Sequence, residues 1–342
     1  MPQLQTAQQP DGDYCNIVLL VDEETGTRSK SGRFVPDRGS VEARIQAYLL
    51  ERYGSVRVVP FRRDVAATIQ ELRTLEPDLV FNLTEWLDGD RSLDAAITGL
   101  LEMMKLPYTG SGSDGLRLAR DKVLSKQIVA GLGVAVPRYF VADGGDPVSN
   151  PGVPYPLIVK PQFGDGSDEI SNSSIVNGAE ELRARVESLH ARSAGTVLCE
   201  EYIEGRDLFV ALLGNEPQVM PPLELTVRVK GAGSPRIATR HLKHDARYRA
   251  RWGVRYREAP LSEAVIAKID ETSHAIFHAL KLRDYARIDY RLTPDDRLVF
   301  IEANPNPDLS PHTFGRNRCF AGIAYSDLIR SIVEAARRRC KE

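Results

Sequence analysis

Cysteine is scarce in this chain. The four present, Cys15, Cys199, Cys319 and Cys340, lie far apart and show no metal-ligand spacing. That argues against a disulfide scaffold or a thiolate metal site, and for buried or surface thiols in a reducing cytoplasm. No apolar run approaches the ~20 residues that a bilayer crossing needs. A charge excess is missing too: 45 Lys and Arg against 47 Asp and Glu leave a net −2, with the basic residues scattered. Such a surface has no electrostatic footprint for nucleic acid. Residues 1–13 are polar and lack a signal peptide's apolar core, so they read as a disordered leader. No Gly-x-Ser-x-Gly elbow, P-loop lysine motif or dinucleotide fingerprint occurs, and no internal repeat is visible.

What is there suits a soluble globular protein of two or three domains: 342 residues, 42% hydrophobic and 27% charged. Apolar runs of strand length at 15–21, 56–59 and 78–83 alternate with helical patterns at 41–53 and 65–75. That order predicts a parallel α/β sheet with ligand-carrying loops at its strand ends. A further helix is predicted over 93–104, and the first domain ends near residue 119. Asp121 caps a predicted helix over 122–131. Strands at 137–141, 156–160 and 196–201 and a helix at 179–190 follow, with a Gly/Pro-rich loop at 142–154. Beyond Gly205, strands at 207–213 and 224–229 and a helix at 261–280 give an α+β, mostly antiparallel half. A helix over 321–338 ends in basic residues that suit its dipole.

The sharpest local signal is Ile288-Asp289-Tyr290 followed by Val299-Phe300-Ile301-Glu302-Ala303-Asn304. Both stretches read as strands, joined by the turn Thr293-Pro294-Asp295-Asp296. Such a hairpin sets Asp289 across from Glu302, with Asn304 on the face of Glu302. Two carboxylates and an amide at one spot need a counter-charge. Hard oxygen ligands suit Mg²⁺ or Mn²⁺, and magnesium held by few protein groups usually carries a nucleotide's phosphates.

Lys160 ends an apolar strand just before Gly164-Asp165-Gly166-Ser167, an arrangement that suits polyphosphate as well as an ordinary edge-strand turn. The acidic turn Glu200 to Asp207 offers backbone groups to a base and carboxylates to ribose, or is simply a surface turn. His274 and His278 have the four-residue spacing of a two-ligand metal face, but no matching carboxylate motif surrounds them. His241 and His244 sit in a basic stretch reaching Arg257, read as mobile and able to line a substrate mouth.

In chain order, Leu106-Pro-Tyr108-Thr-Gly110-Ser111, Asp121-Lys122 with Lys126, Val159-Lys160-Pro161, Glu200-x6-Asp207, Arg287-x-Asp289 and Glu302-x-Asn304 resemble the ATP-grasp superfamily, and within it the D-alanine–D-alanine ligases. The resemblance runs from about Cys15 to the C-terminal helix. It implies an N-terminal parallel α/β domain (14–119) and two α+β subdomains (120–204 and 205–342) that clamp ATP. It further implies that the γ-phosphate of ATP activates a carboxylate, and that an amine attacks the resulting acylphosphate. By the same resemblance Lys122 and Lys160 bind phosphates, under a loop containing Gly166 and Ser167. Glu200 accepts from the adenine amino group, Glu201, Tyr202 and Ile203 give backbone contacts to the base, and Asp207 holds the ribose. Asp289, Glu302 and Asn304 carry Mg²⁺ (or Mn²⁺), and Arg287 binds the acylphosphate. Lys243 and Arg247 compete for one more phosphate contact.

The departures fall where substrates bind. D-alanine–D-alanine ligases carry a histidine after the third strand, where this chain has Glu85. Near the first helix they carry an ammonium-binding glutamate; here Asp37 and Arg38 stand among basic residues. After the metal-binding asparagine they have a proline-glycine pair, and here Asp308 replaces the glycine. Asp308 either faces the second-substrate subsite or caps a local turn. The resulting expectation is a cytoplasmic ATP-dependent carboxylate–amine ligase with small-molecule substrates other than two D-alanines, such as mycosporine-type condensation. A true D-alanine–D-alanine ligase is the alternative, and a non-catalytic nucleotide-binding regulatory module the alternative of another class. The family also makes a homodimer a natural expectation.

Overall fold

The computed structural model describes residues 15–143, 148–164, 171–192, 195–228, 246–310, 314 and 321–341. The leader, Gly166, Ser167, His241, Lys243, His244 and Cys319 lie outside the described residues. Packing divides the chain into two compact units, Met1–Thr109 with Val333–Glu342, and Gly110–Ile332.

In the first unit β1 (Cys15–Asp22) leads into a small hairpin, β2 (Gly26–Arg28) and β3 (Phe34–Pro36), then β4 (Gly54–Phe61) and β5 (Leu79–Asn82). Strands β4, β1 and β5 pair in that order, all parallel. Helices α1 (Val41–Tyr53), α2 (Val65–Leu75) and α3 (Asp94–Met103) complete it. Ser40 and Asp64 start α1 and α2 by accepting the N–H groups of Ala43 and Ala67. Central β1 is apolar along nearly its whole length because it is covered on both faces and both edges. Val18, Leu20, Val59 and Val80 form a core with Leu72 of α2 and with Ile97 and Leu101 of α3. Asp22 and the segment after β5 share the carboxyl-end edge of this sheet, the ligand-binding edge of parallel α/β sheets.

The second unit opens with α4 (Ser113–Arg120) and α5 (Lys122–Gly131). The Asp121 carboxylate caps α5 by accepting from Val123 and Leu124. Next come β6 (Tyr139–Ala142), β7 (Leu157–Pro161), β8 (Ile175–Val176), α6 (Ala179–His190) and β9 (Val197–Glu201). Their sheet runs β6-β9-β7-β8, antiparallel throughout, and α6 packs on one face. A six-stranded antiparallel sheet follows. Its strands are β10 (Arg206–Leu213), β11 (Gln218–Val219), β12 (Leu223–Val227), β13 (Val254–Glu258), β14 (Tyr285–Leu292) and β15 (Leu298–Asn304), in the order β13-β12-β10-β14-β15 with β11 on β10. Helix α7 (Ala246–Trp252) precedes β13, α8 (Glu263–Ala279) precedes β14, and α9 (Tyr325–Arg339) closes the chain. Val265, Ile269, Ile276 and Phe277 of α8 bury one face of the large sheet against Leu208, Val210, Ile288, Tyr290 and Phe300.

Sequence patterning places α1, α2, α5 and α6 at their observed limits and misses α4, the β2–β3 hairpin, α7 and β13. The basic stretch read as mobile up to Arg257 needs correction for its described part. Residues 246–258 form α7 and β13, and Arg257 is held by Glu224 at 3.0 Å, together with Arg206 at 3.0 Å. The register of β13 on β12 accounts for this, since Glu224 and Arg257 are direct partners.

Candidate active site

Strand periodicity decides which side chains leave the core. In the four-stranded sheet Leu157, Val159, Val197 and Cys199 pack on α6. Lys160 and Glu200 therefore share the opposite face, and both are almost completely buried. The Lys160 Nζ lies 2.7 Å from Glu200 Oε2. A third charge joins them from α5, where the Lys126 Nζ lies 2.7 Å from Glu200 Oε1 with the lysine 0% exposed. Each Glu200 oxygen thus faces its own ammonium, Oε2 that of Lys160 and Oε1 that of Lys126. Burial works against every charge here. The two ammonium groups nevertheless hold the Glu200 carboxyl below its usual range, and Glu200 and Glu302 raise Lys160 above its own. For Lys126 burial wins and its affinity for the proton falls. One turn earlier on α5, Lys122 donates to the Gly164 carbonyl, and both line a small pocket with Glu302 and Asn304.

On the six-stranded sheet the same logic turns Asp207, Phe209, Arg287, Asp289 and Arg291 away from α8. Asp289 pairs with Glu302 and Arg287 with Asn304, so four polar residues form a two-by-two array on one face. The pairing is the expected one, but the route to it is not. Tyr290 pairs with Phe300, so Ile301 is the extra residue of a β-bulge. Without the bulge, strict alternation from Phe300 would turn Glu302 and Asn304 to the α8 side. Arg287 donates to both Asp289 oxygens, at 2.6 and 2.9 Å, and supplies part of the counter-charge the carboxylates require. Among the described residues no three His, Cys, Asp or Glu groups converge as a metal centre. Two carboxylates and an amide fit a hard divalent ion that takes its other ligands from phosphate and water.

The remaining expected residues are spread more widely. Asp207 meets Arg291 at 3.1 Å, and Arg291 also donates to the Gly205 carbonyl. Gly205 must be glycine: φ is +155° and a Cβ would run into the Leu292 carbonyl. Glu201 N–H donates to Arg138 and Tyr202 N–H to Pro156, so these two amides are taken within the protein, and Ile203 is buried. Arg247 is an exposed residue of α7. His274 bonds the Asp270 carbonyl of its own helix, and His278 is exposed. The Asp308 carboxylate accepts from the Ser310 N–H at 2.8 Å and hydroxyl at 2.7 Å, the geometry of a capped local turn. Sequence reading gave no role to Lys126; its signal was the spacing of four from Lys122, which places both on one helix face.

In the first unit Asp37 and Arg38 are exposed in the turn before α1. Glu85 pairs with Arg91 at 2.9 Å, and the Arg91 guanidinium stacks on Trp86 at 4.0 Å. Behind them buried Asp22 accepts the N–H groups of Glu85 and Trp86 at 3.0 and 3.1 Å. Burial pushes its carboxyl up to about 7, although these backbone donors oppose the rise. An acid with a raised folded-state value is penalised above that value and relieved as it protonates. Stability should therefore rise as pH falls from about 7 toward 4, by roughly 2–4 kcal/mol from this group. Asp22→Asn should flatten that slope in urea unfolding at pH 5 and pH 8. A variant slope equal to that of the wild type would rule Asp22 out as its source.

A family model, the D-ala D-ala ligase C-terminus, matches residues 130–334. An uncharacterized protein of Sinorhizobium fredii, y4sG, is 33% identical over 263 residues, 76% of this chain and 75% of its own length. A D-alanine–D-alanine ligase of Desulforudis audaxviator is 30% identical over 290 residues, 82% of this chain and 88% of its own length. The D-alanine–D-alanine ligase of Bacillus anthracis, solved in complex with ATP, shares the fold at a TM-score of 0.69 and 19% identity, covering 95% of this chain and 99% of that one. With the α/β unit, the two antiparallel sheets and the ordered motifs between them, these likenesses make the chain a member of the D-alanine–D-alanine ligase family, an ATP-dependent, C–N bond-forming ligase of the ATP-grasp fold.

Proposed function

We propose that this chain joins a carboxylate to an amine other than two D-alanines, in an amino-acid or specialised-metabolite condensation such as the mycosporine type. The observation that carries the site reading is the array of Arg287, Asp289, Glu302 and Asn304 on one sheet face. Lys122 and Lys160 neutralise ATP phosphates, and Glu200, held between Lys126 and Lys160, accepts from the adenine amino group. Asp207 holds the ribose. A magnesium or manganese ion held by Asp289, Glu302 and Asn304 would neutralise charge on the phosphate oxygens. The substrate carboxylate attacks the γ-phosphorus and the bond to ADP breaks. Arg287 then steadies the acylphosphate, the amine attacks the acyl carbon, and phosphate leaves.

The substrate part rests on chemistry at two positions. Glu85, held by Arg91, gives one subsite an acidic group, and Asp308 adds a carboxylate where the related ligases have glycine. An acid there disfavours an incoming D-alanine carboxylate and favours a cationic or hydroxyl-bearing amine. A second reading, D-alanine–D-alanine ligase itself, draws on the activity named for the Desulforudis relative. Phosphate and ADP release, measured across a matrix of carboxylates and amines with ATP and Mg²⁺, separates the two. The expected result is a preferred pair other than two D-alanines, with Asp308→Gly changing the rank order of amines. A wild type fastest with two D-alanines would establish the second reading. A rank order unmoved by Asp308→Gly would confine Asp308 to its turn with Ser310.

A further inference from the structure

We propose that Lys126 is a positioning residue of the nucleotide site, holding Glu200 and the bulge at Ile301 and thereby setting both Lys160 and the Glu302–Asn304 face. The inference rests on the reading of that site as an ATP site. Its ammonium donates to the Ile301 carbonyl at 2.8 Å, lies 2.7 Å from Glu200 Oε1, and sits 6.0 Å from the centre of the Phe300 ring. With 0% exposure it acts through these neighbours.

Both contacts fall at decisive points. Glu200 lies one residue before the end of β9, where its other oxygen holds Lys160. Ile301 is the residue that shifts the β14–β15 register by one, and a bulged residue lacks its place in the ladder. One buried ammonium therefore ties α5 to a strand of each sheet. It sets the position of a phosphate-binding lysine on one and the facing of a carboxylate and an amide on the other. Burying an ion costs several kcal/mol, a cost that an apolar side chain of similar size would avoid. The contacts of the charge itself account for its place here.

The test is a double-mutant cycle on the full chain, reading the Kd for Mg·ATP by calorimetry in wild type, Lys126→Met, Lys160→Met and the double variant. Lys126→Met should weaken ATP binding about tenfold, as expected for a lost charge-assisted contact. In the Lys160→Met background the same change should cost much less, because Lys126 works through Glu200 and Lys160. Lys126→Gln, which keeps a donor for the Ile301 carbonyl, should recover part of the loss. Additive losses would mean general destabilisation and overturn the proposal, as would a Lys126→Met protein with wild-type affinity. If Lys126→Met does not fold, Lys126→Gln replaces it in the cycle. If neither folds, the lysine serves folding and the proposal is wrong. A wild type that binds no ATP would instead end the reading of the site itself.

Discussion

Glu302→Gln should lower ATP-dependent turnover by about two to three orders of magnitude, the loss seen when one electrostatic contact to a transition state is removed. The substitution keeps the volume and the β15 backbone, and Asp289 and Asn304 stay in place. Only a charge is lost, yet that charge acts on two partners. It helps to raise Lys160 and partly offsets the burial that lowers Lys126, and with Asp289 it supplies the anionic half of a divalent-ion site. The variant should melt close to the wild type, since Glu302 is only partly buried. Phosphate release at saturating Mg²⁺, measured beside thermal melting, checks both. Wild-type turnover in a folded variant would remove Glu302 from the chemistry.

Lys160→Met should weaken ATP binding by about ten- to a hundredfold, and adenosine binding far less. A hydrogen bond to a charged group contributes roughly 1.5–3 kcal/mol, and adenosine has no phosphate to lose it. Removing one partner of a buried ion pair usually costs about 3–5 kcal/mol of stability, because the other charge is stranded. Here Lys126 still faces Glu200, so the carboxylate keeps a counter-charge and the fold should survive. Titrations with ATP and with adenosine decide. Equal losses for the two ligands would make Lys160 a structural residue and put the phosphates elsewhere.

Much of this arrangement was legible because it depends on local periodicity. The apolar run at β1, the Asp121 cap of α5 and the β14–β15 turn each announce themselves within a dozen residues. The candidate site was partly legible for the same reason: the spacing of two in Arg287-x-Asp289 and Glu302-x-Asn304 puts each pair on one strand face. What could not be read depends on distant partners. The hairpin alone does not reveal the extra residue at Ile301, because the bulge is a property of the pairing and not of either strand. Lys126 drew no role of its own from the sequence, since its partners lie 74 and 175 positions away. The link from Asp308 to Ser310 is short, but sequence left it level with a role toward substrate. Helix α7 and strand β13 were hidden by charge: Arg249, Arg251, Arg255 and Arg257 mask any apolar stripe, and β13 takes its place from pairing with β12.

The same charges on β13 bear on how this protein behaves in a crowded solution. Among the described residues β13 has no further strand beyond it, so its outer side is an edge onto which a second extended chain could add. Three of its five residues, Arg255, Arg257 and Glu258, are exposed and charged, and Glu224 holds Arg257 in place. An arriving strand would have to dehydrate those groups and offer partners for both signs of charge. The arginines that conceal the strand from a reader of the sequence are thus the ones that discourage edge-to-edge self-association.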